Sequence, residues 1–130
     1  ESGDALSSLG LKFIIVGTAG WVVGNGITAS IAGDISNGGL YGAALGINQF
    51  SAIVFSLGFA AINLGIAGRD YINKNVAYVV AIVALVGLVA AVIGGFDSTT
   101  LQTMNLIGGI VYIIWTLWGI WLGKDMMARD

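Results

Sequence analysis

Along the chain, long uncharged apolar runs alternate with short polar breaks. The runs cover residues 13–33, 35–68, 75–96 and 98–123. Each is long enough to cross a hydrocarbon layer of about 30 Å, which takes roughly 20 helical residues. The breaks carry turn chemistry. Gly33-Asp34-Ile35-Ser36-Asn37-Gly38-Gly39 and Gly94-Gly95-Phe96-Asp97-Ser98-Thr99-Thr100 set glycines where a helix should end, followed by Asp, Ser or Thr able to cap the next. Between them lies the polar stretch Arg69-Asp70-Tyr71-Ile72-Asn73-Lys74-Asn75. The pattern predicts an all-α fold in one domain, membrane-protein-like, with four long hydrophobic helices arranged as two hairpins over 5–68 and 74–127. Asp4, Ser7 or Ser8 is the expected start of the first helix; the second is expected over 40–68 and the fourth over 100–127.

Composition sharpens this reading. The chain of 130 residues is 57% hydrophobic and 9% charged, against about 25% charged in an ordinary soluble domain. So few charges cannot clothe the surface, which must face lipid, further copies of the chain, or another apolar partner. Disorder is excluded by the same apolar content. Cysteine and histidine are absent, which removes disulfides, thiolate chemistry, the usual general base and the commonest metal ligand. Proline is absent too, so nothing forces a kink, while 21 glycines point to closely packed helices.

With two hairpins, both termini and the central break share one side of the molecule. That side collects every basic residue, Lys12, Arg69, Lys74, Lys124 and Arg129, and leaves Asp34 and Asp97 on the other. The positive-inside rule then places the termini in the cytoplasm. An opening on Glu1 rather than Met implies an upstream segment, and a cleaved secretory signal would give the opposite orientation. The pairs Lys12/Asp34 and Lys74/Asp97, with Asn48 and Asn105 at matching places in the second helices, suggest a faint duplication.

Small residues recur at spacings that put them on one helical face. Gly20 and Gly24 follow Gly17; Gly42 and Gly46, Ala61 and Gly65, then Gly87, Ala91 and Gly95, and finally Gly119 and Gly123 complete the series. Small faces let backbones approach where lipid removes the hydrophobic drive. They exceed what one bundle needs, which points to contacts between subunits. The polar residues inside the runs, Asn25, Thr28, Ser30, Asn48, Gln49, Ser51, Ser56, Asn63 and Thr116, are uncharged and suit interhelical hydrogen bonds. Asn48, Gln49 and Ser51 could alternatively line a pore. Trp115, Trp118 and Trp121 form a stripe read as an interfacial anchor or a packing ridge. All carboxylates lie at termini or breaks, so no titratable group is held within a run to do acid–base work or couple to an ion. The expectation is a non-enzyme without cofactor or metal.

The opening on Glu1, the long Leu, Ile, Val and Ala helices, the tight Gly, Ser, Asn and Thr turns, and the charged tail Gly123-Lys124-Asp125-Met126-Met127-Ala128-Arg129-Asp130 together resemble the hydrophobic major capsid proteins of spindle-shaped, tailed archaeal viruses. The resemblance covers the whole chain as architecture. It implies a subunit that enters the host membrane and then assembles with many copies of itself into a helical shell around DNA, in hot and acidic hosts. The five basic residues would then be the nucleic-acid-facing groups. Glu1, Asp4, Asp70, Asp125 and Asp130 share their side and cancel their charge, so only weak, non-specific DNA contact is expected, strengthening as carboxylates protonate. A pilin-like subunit of a DNA-transfer filament, and a small integral-membrane subunit or channel, are the alternatives.

Overall fold

The computed structural model describes residues 2–32, 36–70 and 72–129. It is all-α, with α1 (Ser2–Ser30), α2 (Gly38–Ile66), α3 (Lys74–Phe96) and α4 (Leu101–Met127) in two antiparallel hairpins. All four helices are long and apolar enough to cross a membrane. Glu1, Gly33, Asp34, Ile35, Tyr71 and Asp130 lie outside the described residues, and with them Asp34's place in the charge pattern.

Two expected boundaries shift. α1 starts at Ser2, leaving Asp4 in its first turn and Ser7 half-buried inside it. Lys12 is therefore well inside a helix and does not bound one. Gly94 and Gly95 do not end α3, which continues to Phe96. No described glycine has a positive φ, so these two serve close approach instead: a methyl on Gly94 would sit 2.9 Å from Met104 Cβ, and one on Gly95 2.9 Å from Gln49 Cγ.

The first hairpin is held by a repeat of seven. α1 carries Gly3, Gly10, Gly17 and Gly24, and α2 carries Ala44, Ser51, Gly58 and Gly65. They meet in antiparallel register. A methyl would lie 2.6 Å from the Gly65 carbonyl oxygen if placed on Gly3, and 2.6 Å from that of Gly58 on Gly10. On Gly17 it would lie 2.9 Å from the Ser51 oxygen, and on Gly24 3.2 Å from the Ala44 oxygen. The rising distances mean that the two backbones diverge toward the α1–α2 turn. A strict seven-residue period keeps the contact on one stripe only if the helices wrap in a left-handed supercoil.

The second hairpin repeats the period with different volumes. α3 buries Ala77, Ala84 and Ala91, and beside them Val80, Gly87 and Gly94. α4 answers with Val111, Trp115 and Trp118. Bulk on α4 keeps its backbone distant: among the described residues no Cα of α4 comes within 8 Å of α1 or α2. Side chains bridge the gap. Trp115 stacks on Phe59 with centroids 4.7 Å apart and leans on Phe55 at 5.4 Å, while Trp21 of α1 lies 4.8 Å from Phe55 and 6.2 Å from Tyr112. Trp118 Nε1 donates to Asn63 Oδ1 at 2.7 Å. The tryptophan stripe is a packing ridge at Trp115 and Trp118; Trp121, stacked on Trp118 at 5.0 Å, is half-exposed.

Candidate functional site

Each seam takes about two of every seven positions, the narrow stripe of a coiled coil, and the rest of each helix faces outward. What faces outward is apolar. Ile15, Val22 and Val23 on α1, Phe50 and Leu57 on α2, Val79, Ile82 and Val89 on α3, and Ile113, Leu117 and Ile120 on α4 are all exposed. A monomer in water does not carry apolar surface on every side.

The small residues expected to pack divide into two groups. Gly20 faces Ser51 and Gly24 faces Asn48 across the α1–α2 seam. In α3, Ala91 is buried, Gly87 places a would-be methyl 2.9 Å from Val111 Cγ1, and Gly95 meets Gln49. Gly42, Gly46, Gly119 and Gly123 touch nothing within 4 Å of an added methyl, so they are not at helix contacts within this chain. The seven-residue series stands in the sequence beside the spacing of four. Gly3 and Gly10 precede Lys12 and so fell outside the first uncharged run.

The five basic residues do not form one patch. Arg69 is paired with Asp4, which joins the start of α1 to the end of α2. Arg129 binds Asp125 one turn back, with its Nε at 3.0 Å from Oδ2. Lys74 lies over the Tyr78 ring at 5.9 Å. Lys124 is in the last turn of α4, where a cation complements the helix dipole. These four share one end of the bundle.

Lys12 is elsewhere. The pairing of Gly10 with Gly58 and Gly17 with Ser51 sets it level with Ser56, and Ser56 Oγ lies 3.6 Å from a methyl placed on Gly87. Gly87 is about 14 Å from the C-terminal end of α3 and about 20 Å from its start, at 1.5 Å per residue. Exposed Lys12 therefore stands level with the middle of α3, though only about 15 Å from the start of α1, and the expectation that all basic charge gathers at one end is corrected at this residue. It arose from counting Lys12, which precedes the first uncharged run, with the charges of the terminus.

At the opposite end Gln49 Nε2 donates to the Ala91 carbonyl at 2.6 Å. This sets Gln49 near the end of α3 and leaves the first turns of α2 projecting beyond it by about 12 Å, with Leu40, Tyr41 and Leu45 exposed. In the neighbouring α3–α4 turn, Asp97 Oδ1 accepts from the Thr99 hydroxyl at 2.6 Å and the Thr99 amide at 2.9 Å. These bonds hold its carboxyl below the usual range.

Between α2, α3 and the first half of α4 lies a cavity of about 670 Å³ whose described lining contains no charged residue. Glycines line it, among them Gly42, Gly46, Gly87, Gly108 and Gly109, together with Trp115. Two of its lining residues hold a buried polar atom without a hydrogen-bond partner among the described residues, Trp115 Nε1 and Asn48 Oδ1. The second is turned toward Gly24 in the α1–α2 seam. Of the three residues that could line a pore, Asn48 and Gln49 line this cavity and Ser51 does not: Ser51 Oγ donates to the Ile47 carbonyl at 2.6 Å, while Gln49 is bound to α3.

Comparison of the chain with family models, curated proteins and solved structures finds no match. Among the described residues no three His, Cys, Asp or Glu side chains come together.

Proposed function

We propose that the chain is a structural subunit that polymerises with copies of itself into a hydrophobic shell, as the major capsid protein of a spindle-shaped archaeal virus does, after a stage in the host membrane. One observation carries the reading: exposed Lys12, level with the middle of α3, in a bundle whose other described charges lie at helix ends or turns. A bundle bathed in lipid and centred on α3, its most hydrophobic helix, would hold this ammonium near the bilayer mid-plane. There a lysine costs about 2.5–3.5 kcal/mol on insertion scales. A shell offers what lipid does not, since neighbouring copies cover the apolar faces and can present polar groups or water to Lys12. DNA contact is left chiefly to Lys74 and Lys124, because Arg69 and Arg129 already hold carboxylates, and it is weak and sequence-independent.

The four membrane-length helices favour a second reading, a resident integral-membrane subunit. Sedimentation after detergent is withdrawn in the absence of lipid separates the two. A shell subunit forms soluble assemblies of many copies, whereas a resident subunit precipitates without order or stays dispersed only with detergent or lipid.

A further inference from the structure

Two charges of opposite sign, Lys12 and Asp97, have no counter-ion among the described residues. Of the other described carboxylates, Asp4 holds Arg69 and Asp125 holds Arg129, while Asp70 lies at the basic end, in the break that Lys74 closes. Asp97 lies at the opposite end, where no described residue is basic. It is exposed, and both of its side-chain hydrogen bonds come from Thr99 and end on Oδ1. These bonds favour its charged form. The two charges cannot meet within one chain. Lys12 is level with Gly87, and Asp97 follows Gly87 by ten residues, which sets it about 15 Å higher. Among the described residues no Cα of α1 comes within 8 Å of α3 or α4.

The face around Lys12 is apolar. Leu9, Ile15 and Val16, each about one turn from it, are exposed, so whatever covers this face takes the ammonium out of water as well. A charge removed from water needs an opposite charge beside it. Hydrocarbon brings none to this height, whereas a second copy brings Asp97. We propose that neighbouring copies pack side by side in one orientation, displaced by about 15 Å along the bundle axis, so that Lys12 of one copy pairs with Asp97 of the next. This pairing rests on the shell reading and gives its copies a register. One orientation follows from a membrane stage, where the same basic end stays on the same side in every copy. Each copy gives Lys12 to one neighbour and Asp97 to another, and head-to-tail contacts of this kind continue into rings or helical arrays.

The test mixes native full-length chain with the same chain carrying heavy nitrogen, withdraws detergent in the absence of lipid, and treats the sedimented material with a water-soluble carbodiimide. The reagent joins an ammonium and a carboxylate in contact as an amide, with loss of water. Mass spectrometry of the digested product should find Lys12 joined to Asp97 between labelled and unlabelled copies, and the cross-linked chains should run as a ladder of dimers, trimers and longer products. Lys12 joined to Asp34 or Asp70 instead, no cross-link at Lys12, or a series that stops at dimers, as an antiparallel pair would give, overturns the inference and leaves the shell reading intact. If no assembly of many copies forms, the shell reading fails and the inference falls with it. Lys12→Glu and Asp97→Lys should each lose assembly alone, because like charges then meet, and an equimolar mixture of the two should recover it. Assembly of either variant alone, or no recovery in the mixture, overturns the pairing. Where a variant has lost its helical circular dichroism, the cross-link in the native chain decides.

Discussion

Asn63 shows how a polar side chain holds an apolar bundle together. It is 1% exposed, its amide donates to the Phe59 carbonyl at 2.8 Å, and its oxygen accepts from Trp118. This bond ties α4 to α2, whose backbones never approach closely. Trp118→Phe leaves the Asn63 oxygen buried and unpaired, and should cost about 1–3 kcal/mol in reversible unfolding from detergent. The double variant Asn63→Leu, Trp118→Phe removes both partners and should recover part of that loss; an additive loss would mean that the bond contributes nothing. Asp97 acts in the opposite setting, in an exposed turn. Its carboxyl is held below the usual value by the Thr99 hydroxyl and then the Thr99 amide. The stabilisation is therefore present above the unfolded pKa, about 3.9, and fades as pH falls through the lower folded value. The protection factor of the Thr99 amide, its exchange rate relative to an unstructured peptide at the same pH, should fall below that range in the native chain, and Asp97→Asn should make that factor indifferent to pH there.

Between helices, the decisive quantity is backbone separation. On Gly10 a methyl would sit 2.6 Å from the Gly58 oxygen, whereas on Gly119 it would meet nothing within 4 Å. Gly10→Ala must push α1 off α2 and should destabilise by about 1–3 kcal/mol, as overpacking does. Gly119→Ala, which only removes glycine's conformational freedom from a helix, should stabilise by about 0.5–1 kcal/mol. Thermal unfolding in detergent checks both signs. The helices themselves were legible because long uncharged runs end at polar turns, and α3 and α4 begin and stop close to where those turns predict. The start of α1 was legible to within two residues at Asp4, whereas the height of Lys12 was not, because a lysine in a helix and a lysine at a boundary look alike in sequence. Nor was the bridging role of Trp115 and Trp118. Their spacing fits an interfacial belt equally well, and only the small seam of α3 opposite them makes room for two indoles. Gly42 and Gly46 carry the same spacing as Gly20 and Gly24 yet open onto the cavity, since a glycine pair marks a face without saying what meets it.

The whole molecule presents apolar faces all round, with one lysine level with the middle of α3. Lys12→Leu makes opposite demands of the two settings. A lipid-bathed bundle should gain about 3 kcal/mol of insertion free energy, while a shell loses the polar contact that Lys12 makes with its surroundings and should assemble less completely. Improved insertion together with unimpaired assembly would mean that Lys12 has no role between copies. The basic end reaches the same scale only weakly, because Asp4 and Asp125 occupy two of its guanidinium groups. Electron microscopy of the native material tests the self-assembly claim most directly. A shell subunit predicts closed or tailed particles, built of many copies on a regular lattice and enclosing nucleic acid. A discrete complex of a few copies, or a thin filament without enclosed nucleic acid, would contradict it.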